Sequence, residues 1–179
     1  MVDPYRRDIW THRSIFAGFA LVLFFLRLLP LGSAAGTWPG PDLLLCLILA
    51  WVQRRPDYMP ALLIALVVLT EDFLLMRPPG LWTALVLVAA EFLRNRVALT
   101  RELSFAMEWL LIAALMMALL LGYRLVFAIA FLPQPGFGFA MVQVLGSILC
   151  YPVVVALSHL VLGVHKPGMG EVDQMGRRL

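Results

Sequence analysis

Two adjacent carboxylates inside a membrane-length apolar run constrain this chain more than any other feature. The run is Met59 to Trp82, MPALLIALVVLTEDFLLMRPPGLW, with Glu71 and Asp72 towards its far end. Arg77 follows, and Pro78-Pro79-Gly80 turns the chain straight back into a further apolar run. An ionised side chain in hydrocarbon costs several kcal/mol, roughly 2.5–3.5 on insertion scales, so it faces a partner or a wet cavity. The pair therefore requires cationic partners at the same depth, supplied by other helices that also carry charge.

The whole chain has the composition for this. Of 179 residues, 62% are hydrophobic and only 14% charged, and mean hydropathy is +0.90. Such values exclude a soluble domain and indicate a polytopic membrane protein. The net charge of +3 is carried in short basic clusters between apolar runs, a topological pattern that does not suggest nucleic-acid binding. Cys46 and Cys150 both lie in apolar runs, which suggests neither a disulfide framework nor a metal site. Arg6, Arg7 and Arg13 precede an apolar run ending near Ser33-Ala34-Ala35, the outline of a signal peptide. Arg27 interrupts that run, and we expect an uncleaved first span.

The expected architecture is one all-α membrane domain over 1–179 with six transmembrane helices, at about 15–31, 42–53, 59–76, 80–93, 103–132 and 137–162. Span six is expected to bend at Pro152, and 163–179 forms a polar tail. Eleven basic residues fall on one side: Arg6, Arg7, Arg13, Arg54, Arg55, Arg94, Arg96, Arg101, Lys166, Arg177 and Arg178. Three fall on the other, Arg27, Arg77 and Arg124. The positive-inside rule then places both termini in the cytoplasm.

Spans two and four read as short. Asp42 to Gln53 makes about 18 Å of helix against roughly 30 Å of hydrocarbon. A re-entrant segment is the alternative, but Arg54 and Arg55 mark an inner end and favour a short span. Asp42 then starts its helix below the outer surface, under an outward-facing indentation. After Pro41 its carboxylate is a good N-cap.

Arg27, Asp42, Glu71, Asp72, Arg77 and Arg124 all fall in the outer third of such a bundle, three of each sign. Balanced charge at one depth suits internal pairing. Holding helices together is the weightier reading; a ligand or proton site is the rival. Depth points to Arg27 or Arg124 as the partner of Asp72. Glu91 and Glu108, near inner helix ends, are expected to pair with Arg94, Arg96 or Arg101. Ala61, Ala65, Val68 and Asp72 share one face of span three, which we expect to be buried. Ala114, Ala118 and Gly122 form a small-xxx-small stripe on span five, a candidate face for packing or a partner.

Motifs for chemistry are missing. His12, His159 and His165 have no metal-site spacing, and no nucleophile elbow, P-loop or dinucleotide fingerprint occurs. Ser147 and Ser158 read as packing hydroxyls. No cofactor is expected.

Pro41-Asp42-Leu43-Leu44-Leu45, the span-three ending at Asp72 and the turn Pro79-Gly80-Leu81-Trp82 resemble the rod shape-determining MreD family. The tail, Gly170-Glu171-Val172-Asp173 through Gly176-Arg177-Arg178-Leu179, resembles alphaproteobacterial members. The family's usual Gly-Leu-Leu-x-Asp pattern is replaced by Val68-Leu69-Thr70-Glu71-Asp72, without the glycine and with an extra carboxylate. The resemblance implies a non-catalytic component of the bacterial elongation machinery in the inner membrane. It implies binding to the single-span protein MreC and, through the complex, to MreB, RodA and its partner transpeptidase. It also implies a fold similar to the substrate-binding subunits of energy-coupling-factor transporters, which sets the main alternative: a small-molecule-binding transporter subunit. Outer loops that are short or rich in Gly and Pro, with Trp38 and Trp82 their only aromatics before span five, favour a scaffold. An intramembrane enzyme acting on a lipid-linked sugar ranks last, since no base or nucleophile is identifiable. Membrane lipids are expected partners, and the basic inner residues are expected to attract anionic headgroups.

Overall fold

The computed structural model describes residues 4–29, 39–100, 103–134 and 136–163. The Ser33-Ala34-Ala35 segment, Trp38, Arg101, His165 and the tail with Lys166, Arg177 and Arg178 lie outside the described residues. Among those described there are six α-helices and no strand. They are α1 (Pro4–Leu28), α2 (Leu43–Arg54), α3 (Ala61–Leu74), α4 (Leu81–Thr100), α5 (Phe105–Ile129) and α6 (Phe137–Leu162), with a 3-10 turn at Pro56–Tyr58. α1, α5 and α6 are long and apolar enough to cross a membrane. Large apolar side chains stand exposed along all three, among them Phe25, Leu121, Leu125, Leu149 and Leu160. Such a surface belongs in hydrocarbon and marks a membrane protein.

Successive helices alternate in direction. The end of α1 meets the start of α2 and the end of α3 through Arg27, which pairs with Asp42 and Glu71. The start of α4 meets the end of α3 through Asp72 and Thr83. Trp82 of α4 packs edge-on against Tyr123 of α5, and Arg124 of α5 lies over Phe137 of α6. These residues define the Asp42 end of the bundle; the opposite end carries Arg54, Tyr58 and His12.

At the centre lies α2. Every residue from Leu44 to Arg54 is buried, so α2 is hydrophobic all round because neighbours cover it all round. A helix of 12 residues ends inside the bundle, about 18 Å from end to end, where no water satisfies its terminal peptide groups. Its caps solve this. Asp42 Oδ1 accepts from the Leu45 N–H at 3.0 Å, and the Asp42 N–H donates to Ser147 Oγ at 2.7 Å. At the other end the Arg55 N–H donates to the Trp51 carbonyl at 2.7 Å. The Trp51 indole N–H donates to Ser158 Oγ at 3.2 Å. Ser147 and Ser158 thus tie α6 to both ends of α2.

The short elements are α2 and α3, not α2 and α4. Pro60 sits at the start of α3, where its missing N–H is harmless. The helix closes at Leu75, with Met76 in the left-handed region at φ 51°. The Arg77 N–H reaches the Asp72 carbonyl at 3.0 Å and the Met76 N–H the Phe73 carbonyl at 3.3 Å, the Schellman pattern. That leaves α3 with 14 residues, about 21 Å. By contrast α4 runs through Arg94-Asn95-Arg96 to 20 residues, because no Pro or Gly stops it and its arginines find partners. Between them the Leu81 N–H donates to the Pro78 carbonyl, with Pro79 and then Gly80 at φ 89° inside the turn, a type II geometry that needs glycine third.

The expected buried face of α3 is shifted. Ile64, Val68, Glu71 and Asp72 are buried, whereas Ala61 is exposed and Ala65 only half-buried. The side chains that fill space towards the core are the branched ones and the two carboxylates, and the alanines rotate to the perimeter. On α5 the buried positions are Glu108, Ile112, Met116, Leu119, Leu120 and Phe127. Ala114 and Ala118 lie exposed, while Gly122 is half-buried with Leu85 Cδ2 against the position a Cβ would take, at 3.5 Å.

Candidate functional site: a charged recess at the Asp42 end

Three of the six charged residues singled out by depth form one bridge. Arg27 reaches across from α1 to the α2 cap, Asp42 Oδ1 at 3.1 Å, and to Glu71 Oε1 on α3. Asp42 and Glu71 are 5% and 2% exposed, so one guanidinium with its fork of donors serves two buried carboxylates. Three helices are fastened at one point.

Asp72 behaves differently from the expected pairing with Arg27 or Arg124. Its Oδ2 accepts from the Gly80 N–H at 3.1 Å, the Thr83 N–H at 3.2 Å and the Thr83 hydroxyl at 2.9 Å. It caps the first turn of α4, where free N–H groups and the helix dipole stabilise a carboxylate without any cation. Glu71 and Asp72 are neighbours on a helix, so their side chains diverge by about 100°. One turns to α1 and α2, the other to α4.

Arg77 and Arg124 line a recess instead of joining the bridge. The recess has a volume of about 370 Å³. Its floor is Asp42 and Ser147, and its walls include Trp82, Tyr123, Phe139 and Gln143. Its origin is the length mismatch of the helices. α2 begins beside Ser147, ten residues into α6, so α6 rises about 15 Å beyond it. α5 rises likewise, and the space above the α2 cap stays open. This is the indentation expected from the short second helix. Around it the Arg77 guanidinium lies 5.5 Å from the Trp82 ring. Trp82 meets Tyr123 edge-on at 5.7 Å, and the Arg124 guanidinium lies 5.2 Å from the Phe137 ring. Gln134 donates to the Arg124 carbonyl at 3.0 Å.

A second buried ion pair lies towards the opposite end. Arg54 Nη1 is 2.7 Å from Glu108 Oε1; the residues are 6% and 1% exposed. Tyr151 donates to the same Oε1 at 2.9 Å and accepts from Arg54 Nη1 at 3.3 Å. Glu108 thus takes Arg54 as an ion-pair partner, which the expected grouping of Glu108 with Arg94, Arg96 or Arg101 does not include; Arg101 lies outside the described residues. Arg54 does not mark an interface; it folds back into the bundle alongside the Ala50 carbonyl. Glu91 does pair with Arg94.

Beyond this pair His12 stacks on Tyr58 at 4.3 Å and Tyr58 donates to Asp8 at 2.7 Å, fixing α1 to the turn after α2. Gln53 is 2% exposed, and among the described residues neither side-chain polar atom has a hydrogen-bond partner; nothing in the structure explains its burial. Among the described residues no cluster of His, Cys, Asp and Glu is arranged to hold a metal ion.

No protein-family model, curated protein or solved structure matches the chain.

Proposed function

We propose that this protein is a non-catalytic scaffold of the bacterial inner membrane. It would span the membrane six times with both termini in the cytoplasm, bind the single-span protein MreC, and help couple MreB filaments to peptidoglycan synthesis by RodA and its partner transpeptidase. The specific partners come from the resemblance in Pro41–Leu45, Asp72 and Pro79–Trp82. The observation that carries the class is how the buried charges are used. Arg27 with Asp42 and Glu71, Arg54 with Glu108, and Asp72 at the α4 cap all join one helix to another. Each of those carboxylates holds a structural contact, although Asp72 does so through Oδ2 alone, and the exposed perimeter, including Ala114 and Ala118, is left for helix-to-helix contact with a partner.

Affinity purification of the tagged full chain from bacterial membranes, with mass spectrometry of what accompanies it, tests this. MreC should co-purify, and Ala114→Leu with Ala118→Leu should reduce its recovery at unchanged yield of the chain. Recovery of a transporter's energising subunits in its place would refute the scaffold. The recess favours a second reading, a small-molecule-binding subunit of a transporter, because a concave site with aromatic walls and a few polar groups is what such binding uses.

A further inference from the structure

The recess has a chemistry of its own, independent of whether the protein is a scaffold. Among the described residues the charged side chains that line it are Asp42, Arg77 and Arg124. The carboxylate is neutralised at the floor, where Asp42 Oδ1 is held by Arg27 and by the Leu45 N–H. Glu71 and Asp72 are turned to α1 and to α4 and do not line the space. The lining that remains is positive: two guanidinium groups, one on the turn before α4 and one near the end of α5. Each guanidinium lies over an aromatic ring, Arg77 over Trp82 and Arg124 over Phe137, a cation–π contact that holds it beside the recess. Tyr123, Gln134 and Gln143 are further polar residues of the lining. The remaining walls are apolar: Leu45, Leu75, Met116, Leu120, Phe139, Val144.

Arginine, aromatic and aliphatic groups lining one space suit a receptor for an anion joined to a hydrocarbon body. Guanidinium matches phosphate oxygens two at a time, and tyrosine and tryptophan suit the level where a lipid's headgroup gives way to its chains. At about 370 Å³ the recess falls at the small end of the range for ligand sites, roughly 300–1,000 Å³. It is too small for a whole two-chain lipid. Phe139, exposed at the rim, is where acyl chains would pass out beside the other exposed apolar side chains of α6.

We infer that the recess above α2 binds the phosphate head of one anionic phospholipid taken from the surrounding bilayer, with Arg77 and Arg124 holding the phosphate and Trp82, Tyr123 and Phe139 packing on the glycerol and first methylenes. One bound lipid fills the space left by the short α2 and touches α4, α5 and α6 at once.

The test uses the purified full chain in neutral detergent, with native mass spectrometry and thermal unfolding against added lipid. Phosphatidylglycerol should be retained as one tight adduct and raise the unfolding temperature; phosphatidylcholine should do neither. Arg77→Gln should weaken the tight adduct about tenfold. Ala140→Phe, which fills the recess and leaves both arginines in place, should abolish it. Arg96→Gln, at the opposite end of the bundle over Phe92, should leave it intact. If Arg77→Gln does not fold, Ala140→Phe decides alone. An unchanged adduct in Ala140→Phe, or its loss in Arg96→Gln, overturns the site. Equal retention of phosphatidylcholine overturns the anion requirement. Stabilisation by glycerol phosphate at the same concentration would make the ligand a free anion and overturn the lipid.

Discussion

Side chains of the same formal type have three different uses in this bundle, and neighbours decide which. Glu71 lies against a guanidinium, Asp72 against the free N–H groups of a helix start, and Glu108 in an ion pair with a tyrosine hydroxyl beside it. Arg54 and Glu108 give the cleanest measurement at this scale, because both are almost wholly buried and their contact is 2.7 Å. Removing one partner leaves the other charge stranded, which typically costs about 3–5 kcal/mol, whereas replacing both with apolar groups of similar volume is often neutral or better. Glu108→Met and Arg54→Met should therefore each lower the unfolding temperature sharply, and the double variant should recover most of the loss. Thermal unfolding in detergent of the four proteins in the cycle reads this directly. Additive losses would mean that the two charges are solvated separately.

The same residues mark what sequence could convey. Depth along apolar runs is enough to gather Arg27, Asp42 and Glu71 in one zone, since rise per residue is fixed by the helix. Rotation is not fixed by depth. Nothing in Thr70-Glu71-Asp72-Phe73 states which carboxylate faces α1, so depth offers Arg27 or Arg124 to Asp72 while the structure gives Arg27 to Glu71 and Asp72 to the start of α4. Arg54 shows a different gap. A basic residue ending an apolar run reads alike whether it reaches out to headgroups or folds back, and only Glu108, far along the chain, decides between them.

Among the elements, α2 is the one whose position was most legible. Pro41-Asp42 before an unbroken apolar run announces a capped start, and twelve residues cannot reach across hydrocarbon alone, so a recess follows from length. The ends of α3 and α5 were less legible, because their stop signals are conformational. Met76 and Phe131 take left-handed backbone at helix ends, at φ 51° and 54°, where glycine is the usual choice. Gly80 at φ 89° has no atom within 4 Å of the place a Cβ would occupy. The cost of adding one is thus purely conformational, about 1–2 kcal/mol. Gly80→Ala should lower stability by about that amount, and Met76→Gly should raise it by up to a similar amount. Unfolding curves for both variants should shift in opposite directions from the parent. A fall for Met76→Gly would show that the exposed methionine side chain contributes more, through lipid or a partner, than its backbone strain costs.

For the molecule as a whole, alternation of helix direction and the distribution of basic residues bear on one question, which end faces the cytoplasm. The six helices run alternately, with Arg27, Arg77 and Arg124 at the Asp42 end. Arg13 stays at the other end, where its guanidinium donates to the Asp57 carbonyl at 2.8 Å, as do Arg55, Arg94 and Arg96. Arg54 no longer counts as a surface charge, yet the asymmetry survives its removal. Juxtamembrane arginines on the cytoplasmic side set orientation, so the Asp42 end should face outward. Cys46 and Cys150 are the native thiols, and replacing both with serine or alanine gives a background for single cysteines. Gly136 is exposed at the Asp42 end, and Asp57 and Asn95 are exposed at the other. In intact cells a membrane-impermeant maleimide should label Gly136→Cys and spare Asp57→Cys and Asn95→Cys. Permeabilised cells should label all three. The reverse pattern would invert the protein and place the recess, with its proposed lipid, in the cytoplasmic leaflet. Labelling of both ends in intact cells would remove the spanning arrangement altogether.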